Sequence, residues 1–343
     1  MKYTNLGQTG LRVSKICVGC MSYGSAKDRW SWTLNEQDSL PILNHCYESG
    51  INFYDTADVY SEGVSEEILG KAIKKYNWRR ENLVIATKLF AVLTRDGEAD
   101  ANPLSLNERD QNGYANMYGL SRKHIFDSVD TSLKRLGLEY IDILQIHRWD
   151  ANTPVKETMK ALDDVVRSGK VRYIGCSSMY AHQLLELQYT ARMNGWTEFI
   201  SIQNLFNACY REEEKEMYPA CAKFGMAGIP WSPVAMGFLT RPWKSFQDTK
   251  RGADLGEGML GVPWSDSDKK TNEKVEEIAK KHGCAMATVA IAWTLSKPFI
   301  HSPIVGLSSE KRVDEAVAAV NLELTPEEVK EIDDLYTPHK HVQ

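Results

Sequence analysis

The sequence predicts an α/β fold, an eight-stranded barrel of parallel strands, and three observations support this prediction. Eight short apolar or β-branched runs recur along the 343 residues, and they are almost continuously hydrophobic, as strands buried on both faces are. A helical pattern follows each run, and such alternation indicates parallel pairing through crossover connections. The runs are Ser14–Val18, Ile51–Tyr54, Leu83–Thr87, Tyr140–Ile146, Val171–Gly175, Phe199–Gln203, Met226–Trp231 and Ser302–Val305.

Amphipathic segments between the runs predict the helices that surround the barrel. A glycine such as Gly137 or Gly195 stands just past the last turn of several of them, where a helix commonly ends. An open, doubly wound sheet is the alternative fold for the same pattern. The predicted helices are Glu36–Ser49, Val64–Tyr76, Ser121–Leu136, Pro154–Ser168, Tyr180–Asn194 and, opened by Thr325-Pro326, Pro326–Leu335.

Two segments are too long to be ordinary connections: residues 90–120 and residues 237–270. Both follow a predicted strand, so in a barrel both lie at the C-terminal face, where active sites are built. The segment before Ser14 contains Gly7 and Gly10 as turn residues and predicts a hairpin over the opposite end. Chain length alone would suggest two domains, but eight strand–helix units predict one barrel domain over residues 1–343.

Composition narrows the class of protein. The chain has 41 basic and 46 acidic residues, a net charge of −5, which disfavours binding to nucleic acid or to an anionic membrane. Hydrophobic residues make up 43%, as in ordinary globular proteins. Seven scattered cysteines are typical of a reducing compartment. The first residues lack a signal-peptide pattern, so we expect a cytoplasmic protein.

Two short motifs resemble ligand sites but stand in the wrong context. Cys17 and Cys20 form a C-x-x-C, yet they lie in an apolar run and no second pair follows at zinc-site spacing, which favours packing over redox or metal chemistry. Residues 256–261 match G-x-G-x-x-G, but polar residues precede them where the dinucleotide fingerprint requires a strand. We interpret this second motif as part of a lid.

Four residues suited to proton transfer follow one another at predicted strand ends: Asp55 and Tyr60 after the second strand, Lys88 at the third and His147 at the fourth. The carboxyl ends of barrel strands meet, so we expect these side chains to lie together. A buried Lys88 needs a carboxylate, which Asp55 can supply. The ammonium in turn favours the ionised form of Tyr60, which predicts a phenol that exchanges its proton near neutral pH.

Each of the four residues also has an ordinary structural explanation. Asp55 can be a helix cap and Tyr60 an exposed loop ring. Lys88 can be a solvated strand end and His147 a core histidine. Their combination indicates proton transfer to a carbonyl group, with His147 donating a hydrogen bond to the carbonyl oxygen.

With these residues in view, the chain resembles the aldo-keto reductases. The resemblance rests on Asp55-Thr56-Ala57 with Tyr60, on Thr87-Lys88 and on His147, and it extends from Leu6 to Ser308. It is closest to the aryl-alcohol-dehydrogenase-like subgroup. The segments that indicate this subgroup are Gly119–Ile125, Leu144–Arg148, Tyr210–Glu214 and Ile229–Pro233.

The resemblance implies a (β/α)8 TIM barrel that binds NADP(H) without a Rossmann fold, and it assigns roles to the four residues. Tyr60 is the general acid in reduction, Lys88 lowers its pKa, Asp55 holds Lys88, and His147 orients the substrate carbonyl. The implied enzyme is an NADPH-dependent oxidoreductase that transfers hydride reversibly between nicotinamide and an aldehyde or alcohol.

The resemblance also implies the cofactor contacts. Ser177 and Gln203 bond the carboxamide, with Ser178 standing where many members have asparagine. Trp231 stacks on the nicotinamide, unless it is a core residue. Arg312 pairs with the 2′-phosphate, unless it is only a surface arginine. Glu315 contacts adenine, and the next residue, Ala316, stands where asparagine is common in the family. The pyrophosphate is held by Ser232, Pro233, Gly237, Leu239 and Arg241, and by the helix start that contains Gly306 and Ser308.

Substrate and partners are less determined. Aromatic residues expected at the barrel mouth, among them Tyr23, Phe90 and Trp149, suit aromatic or small aliphatic aldehydes. We expect a small aldehyde or ketone as substrate and no metal; no pattern indicates an oligomeric state. The alternatives are a cofactor-binding regulatory subunit of the channel β-subunit type and a metal-dependent barrel hydrolase, for which only His147 lies at a strand end.

Overall fold

The fold is described from a computed structural model, which covers residues 1–25, 32–94, 101–249, 252–253, 258–259 and 262–341. Within these residues, eight parallel strands form one sheet, in which strands that follow one another along the chain also lie side by side. These strands are β3 (Cys17–Gly19), β4 (Phe53–Asp55), β5 (Val84–Leu89), β6 (Ile141–Ile146), β7 (Val171–Ser177), β8 (Phe199–Gln203), β9 (Ala227–Gly228) and β12 (Ile304–Gly306).

The two edges of this sheet meet. A parallel bridge pairs Trp231 with Ile304, and the Ile304 amide donates to the Pro230 carbonyl oxygen over 2.8 Å. The predicted eight parallel strands are thereby confirmed, and the barrel rather than the open sheet is correct.

Two strands differ from their predicted bounds by three residues at one end, and the other six differ by at most two. The first begins at Cys17 because Ser14 belongs instead to an N-terminal hairpin. The seventh is only Ala227–Gly228, with Trp231 added as a single bridge residue. Pro230 lies between them and has no N–H to donate to a neighbouring strand, which explains the interruption.

The predicted hairpin is present and covers the N-terminal end of the barrel. Strands β1 (Tyr3–Asn5) and β2 (Arg12–Ser14) pair antiparallel. Leu6 and Val13 are buried in one cluster with Phe53, at the start of a barrel strand. This closes the face opposite the strand carboxyl ends.

The helices surround the barrel, and the sequence-predicted ones begin and end within two residues of expectation. A single cluster of buried side chains extends along the chain from Ile16 to Ile332. No helix in the described part of the chain is long and apolar enough to cross a membrane. The helices are α1 (Glu36–Glu48), α2 (Val64–Lys75), α3 (Leu106–Gln111), α4 (Arg122–Leu136), α5 (Val155–Arg167), α6 (Ala181–Asn194), α7 (Met217–Phe224), α8 (Asp266–His282), α9 (Met286–Leu295), α10 (Glu310–Ala319) and α11 (Pro326–Asp333).

The two long segments carry structure of their own. The first contains α3 and a small apolar cluster of Val92, Ala101 and Tyr114; residues 95–100 lie outside the described part. In the second, β10 (Gly258–Met259) pairs with β11 (Val262–Pro263). A strand therefore stands inside the G-x-G-x-x-G motif, whose other residues lie outside the described part.

The C-x-x-C motif lies in the core. Cys17 and Cys20 are fully buried, and burial raises the pKa of both thiols well above the usual range. Protonated buried thiols suit the packing interpretation.

Candidate active site

Four side chains meet at the carboxyl ends of adjacent barrel strands. Asp55 ends β4, Lys88 lies near the end of β5, His147 directly follows β6, and Tyr60 begins the short 3-10 turn Tyr60–Gly63 after β4. Asp55 and Lys88 are almost completely buried. The structure thus brings together all four residues that were predicted from the strand ends.

Lys88 connects the group. Its ammonium forms an ion pair with Asp55 Oδ1, donates to the Thr56 carbonyl oxygen over 2.8 Å and donates to the Tyr60 hydroxyl over 3.0 Å. The three hydrogens of the ammonium are therefore all used. Burial alone would lower the pKa of Lys88, but Asp55 and Tyr60 raise it above its usual value. Lys88 is therefore charged at neutral pH.

The pKa of Tyr60 departs from the expectation drawn from the sequence. Burial raises the pKa of this phenol, and the opposing effects of Lys88 and Arg148 offset the rise only in part. The expected downward effect of Lys88 is present, but desolvation of the phenolate outweighs it. Tyr60 therefore holds its proton at neutral pH, as a proton donor must.

His147 stands beside the phenol as a neutral imidazole. Its ring lies edge-on to that of Tyr60, with 5.9 Å between the ring centres. Burial, together with the charges of Lys88 and Arg148, holds the pKa of His147 well below its usual range. A neutral imidazole has one N–H to donate, which suits a hydrogen bond to a carbonyl oxygen.

The turn after Tyr60 is strained. Ser61 and Glu62 both have a φ of 52°, in the left-handed region that residues with side chains rarely adopt. Such backbone collects at functional sites, where the surrounding structure stabilises it.

Gln203 and Gln145 complete the buried group. Their side-chain amides both donate to Asp55 Oδ2, over 2.9 Å and 2.8 Å. Gln203 was predicted to bond a cofactor carboxamide. Gln145 was missed, although a polar residue in an apolar strand, two positions before His147, is a usable signal.

Ser177 and Ser178 lie directly beside Gln203. The Ser177 hydroxyl donates to the Gln203 carbonyl oxygen over 2.7 Å. The Ser178 amide donates to Asn204 Oδ1 over 2.7 Å, and Ser178 has a φ of 47°. Asn204, a second residue that was not predicted from the sequence, donates in turn to Glu213 Oε2 over 2.7 Å. These bonds stabilise the left-handed backbone at Ser178.

A cavity of about 190 Å³ opens between β12, α10 and the segment after β9. It collects six residues that were predicted to bind the cofactor: Gly237, Arg241, Gly306, Ser308, Arg312 and Glu315. Ser22, after the first barrel strand, also lines it and could have been found from the same strand-end argument. The other lining residues are Trp32, Val234, Met236, Thr240, Phe246, Thr249, Ala287, Ile291, Val305 and Leu307.

The cavity has the donors that an anion requires. The buried Nε of Arg241 has no hydrogen-bond partner within the described part of the chain. Burial and the nearby charge of Arg312 lower the pKa of Arg241. Arg312 donates to Glu315 Oε2 over 2.6 Å at the start of α10, where the helix dipole also favours negative charge. Two neighbouring guanidinium groups and a helix N-terminus fit the phosphates of a dinucleotide.

Seven predicted cofactor residues do not line this cavity: Ser177, Ser178 and Gln203, described above, and Trp231, Ser232, Pro233 and Leu239. Trp231 is half-buried against Leu205 and Tyr210, and Leu239 is completely buried. Ser232 has a φ of 56°, and Pro233 follows it in the same turn.

The predicted substrate residues separate into two kinds. Tyr23 is completely buried and donates its hydroxyl to the Leu307 carbonyl oxygen over 2.6 Å, so it has no surface to offer a substrate and the expectation is not retained. Phe90 and Trp149 are half-buried and stand just beyond Lys88 and His147. The sequence also predicts Trp30 at the barrel mouth and the cations Lys250 and Arg251 near the cofactor phosphates, and these three residues lie outside the described part.

The chain is similar in sequence to several known proteins. The family model of the aldo/keto reductase family matches residues 15–337. Versiconal hemiacetal acetate reductase of Aspergillus parasiticus is 51% identical over 340 residues, which cover 98% of each chain. A protein of Schizosaccharomyces pombe named as an aryl-alcohol dehydrogenase is 47% identical, over 98% of this chain and 96% of that protein. An aldo-keto reductase of Fusarium vanettenii is 41% identical, over 98% and 91%.

Proposed function

Because this chain belongs to the aldo/keto reductase family and is an oxidoreductase of carbonyl and alcohol groups, we propose that it reduces aldehydes reversibly with NADPH. One observation carries the proposal: the Tyr60 hydroxyl, bonded to Lys88 over 3.0 Å, stands beside the neutral His147. We further propose that residues 1–343 form one barrel domain.

Proton transfer is the task of Tyr60. Its raised pKa keeps the phenol protonated, so it can donate to the oxygen of a carbonyl that is being reduced. The phenolate that forms lies 3.0 Å from the Lys88 ammonium, which stabilises its charge. In alcohol oxidation the same phenolate accepts the proton.

His147 orients the substrate. A neutral imidazole N–H donates to the carbonyl oxygen and leaves the protein without an extra positive charge beside Lys88. This hydrogen bond polarises the carbonyl group before the proton arrives.

Members of the family use a nicotinamide cofactor, which supplies the hydride when bound. Ser177 and Gln203 would hold the carboxamide, and Trp231 would stack on the ring. Both amide hydrogens of Gln203 are committed to Asp55 and Gln145, so Gln203 Oε1 is the atom that would accept the carboxamide N–H. Ser178 would contribute through its hydroxyl, which lies 3.2 Å from that of Ser177.

The positions of Arg312 and Arg241 are the basis for proposing a preference for NADPH over NADH. Arg312 would pair with the 2′-phosphate, Glu315 would lie at the adenine, and Arg241 would bind the pyrophosphate with its buried Nε. Gly237, Gly306 and Ser308 would let the backbone approach the phosphates. The turn Ser232–Pro233 and Leu239 would complete the contacts around the pyrophosphate.

Aromatic or small aliphatic aldehydes are the proposed substrates. Phe90 and Trp149, half-buried beside the strand ends that carry Lys88 and His147, would form an apolar wall. The name of the Schizosaccharomyces pombe relative, an aryl-alcohol dehydrogenase, agrees with this substrate class.

The test is NADPH oxidation with 4-nitrobenzaldehyde in wild type, Tyr60→Phe and Tyr54→Phe. Tyr54 is a matched control, because its hydroxyl is also buried and donates to the Ile51 carbonyl oxygen over 3.2 Å. Tyr60→Phe should lose roughly 100-fold or more of kcat, and Tyr54→Phe should keep most of it. The proposal fails if Tyr60→Phe keeps most of its kcat, or if wild type turns over no aldehyde in a broad panel with either cofactor.

A further inference from the structure

Gln145 lies inside the barrel beside the four proposed proton-transfer residues, and the proposed mechanism gives it no role. It lies on β6 in register with Lys88 on β5 and Gly175 on β7, and it is completely buried. A Cβ atom on Gly175 would lie 3.2 Å from Gln145 Cγ and 2.7 Å from Ser201 Oγ. The interior of the barrel is therefore shaped to leave room for this amide.

The amide of Gln145 is engaged at both ends. Its Nε2 donates to Asp55 Oδ2 over 2.8 Å, and its Oε1 accepts from Gln203 Nε2 over 2.9 Å. Gln203 Nε2 also donates to Asp55 Oδ2, over 2.9 Å. Asp55 and the two glutamines thus form a closed ring of buried hydrogen bonds, in which the amide of Gln145 has only one favourable orientation.

This ring determines how the Asp55 carboxylate is rotated. With Oδ2 bound by two amides, Oδ1 is directed at the Lys88 ammonium. Lys88 has one remaining hydrogen for Tyr60, since the others bond Asp55 and the Thr56 carbonyl oxygen. A carboxylate that rotated would displace the ammonium and lengthen its bond to the phenol.

We propose that Gln145 is a positioning residue for proton transfer: it holds the rotation of the Asp55 carboxylate and thereby the direction of the Lys88 ammonium toward Tyr60. This inference rests on the proposed role of Tyr60 as the proton donor. Gln145 acts through Asp55 and Lys88 and does not itself touch the Tyr60 hydroxyl.

The groups that face Tyr60 from each neighbouring element are Lys88, Asp55, His147 and Arg148. Of these, only Asp55 and Lys88 belong to the chain of contacts that begins at Gln145. A change at Gln145 should therefore alter the effect of Lys88 on Tyr60 and leave His147 and Arg148 in place.

The first test compares Gln145→Leu with Gln188→Leu. Gln188, on α6, is a matched control because it is also completely buried. Both ends of its side-chain amide form hydrogen bonds with the Phe199 backbone. Both variants should unfold at a lower temperature. Only Gln145→Leu should lose about tenfold in kcat with an unchanged aldehyde KM. Only this variant should also move the alkaline limb of the pH profile of alcohol oxidation to higher pH, because Lys88 then lowers the pKa of Tyr60 less.

The second test uses Gln145→Glu, which keeps the shape of the side chain. Its protonated carboxyl group can donate to Asp55 Oδ2, so activity at low pH should approach that of wild type. As the pH rises and this carboxyl group ionises beside Asp55, activity should fall at a pH where wild type is level.

A third readout does not depend on activity. The ¹⁵Nζ NMR signal of Lys88 can be assigned by its loss in Lys88→Met; Gln145→Leu should shift it and Gln188→Leu should not. If wild type shows no carbonyl reduction, the proposed function fails while this signal still tests Gln145. An unmoved Lys88 signal in Gln145→Leu, or a wild-type pH profile in that variant, overturns the inference.

Discussion

The ammonium nitrogen of Lys88 lies 3.0 Å from the Tyr60 hydroxyl oxygen and 4.6 Å from the centre of the Tyr60 ring. One cation therefore donates to the phenol and also lies close to its ring. This cation opposes the desolvation that raises the pKa of Tyr60. In the proposed mechanism, the pair therefore sets the pH at which each direction of the reaction runs.

Removing that cation should separate the two directions of the reaction. Lys88→Met leaves the burial of Tyr60 in place but takes away its main stabilising charge, so the pKa of Tyr60 should rise further. Since alcohol oxidation needs the phenolate, its alkaline limb should move to higher pH and its rate at neutral pH should fall by roughly 100-fold. Oxidation of an aryl alcohol with NADP⁺ as a function of pH measures both effects; an unshifted limb would contradict the assigned partnership.

Aldehyde reduction should be level with pH across the usual range of histidine. The pKa of His147 is held well below that range, so the imidazole is already neutral and no charge change occurs there. Steady-state kcat for reduction between about pH 5.5 and 7.5 checks this. An inflection near the ordinary histidine pKa that disappears in His147→Gln would show that the imidazole titrates in this range after all.

Arg312→Ala should raise the KM for NADPH more than the KM for NADH, because only NADPH carries a 2′-phosphate for the guanidinium to bind. Lys311→Ala is the control, since Lys311 is an exposed cation one position earlier on α10. It should change both KM values little. Equal effects of Arg312→Ala on the two cofactors would exclude the phosphate role.

Glu328 should contribute stability that depends on pH. Although burial alone would raise its pKa, hydrogen bonds from Lys281, the Thr325 amide and His282 lower the pKa of Glu328 to about 2. A carboxyl group whose pKa is lower when folded stabilises the protein above its unfolded pKa, and this contribution is lost as pH falls from about 4.5 toward 2.

Glu328→Gln should therefore cost about 1 kcal/mol at pH 7, a figure reduced for solvent screening because the Lys281 side chain is 65% exposed. The exposed neighbour Glu327 provides the control Glu327→Gln, which should have little effect. Urea unfolding at several pH values measures the difference, which should vanish in acid. A difference that persists at about pH 2 would mean that packing, rather than charge, is responsible.

The four candidate proton-transfer residues were predictable from the sequence because each lies at the end of a strand with a strong apolar pattern, and strand ends of a parallel barrel meet by topology. Gln145 and Asn204 were not predictable in this way because their partners, Asp55 and Ser178, lie 90 and 26 residues away along the chain. No local pattern identifies such partners.

The sequence by itself determined the barrel, its hairpin and the elements that carry each site residue, since periodicity, helix caps and strand ends are local properties of the chain. The tertiary structure alone decided the charge state of the site. Desolvation outweighs Lys88 at Tyr60, and burial removes Tyr23 from the candidate substrate residues. Both outcomes depend on how much water the assembled barrel excludes, and that is a property of packing between segments distant in sequence.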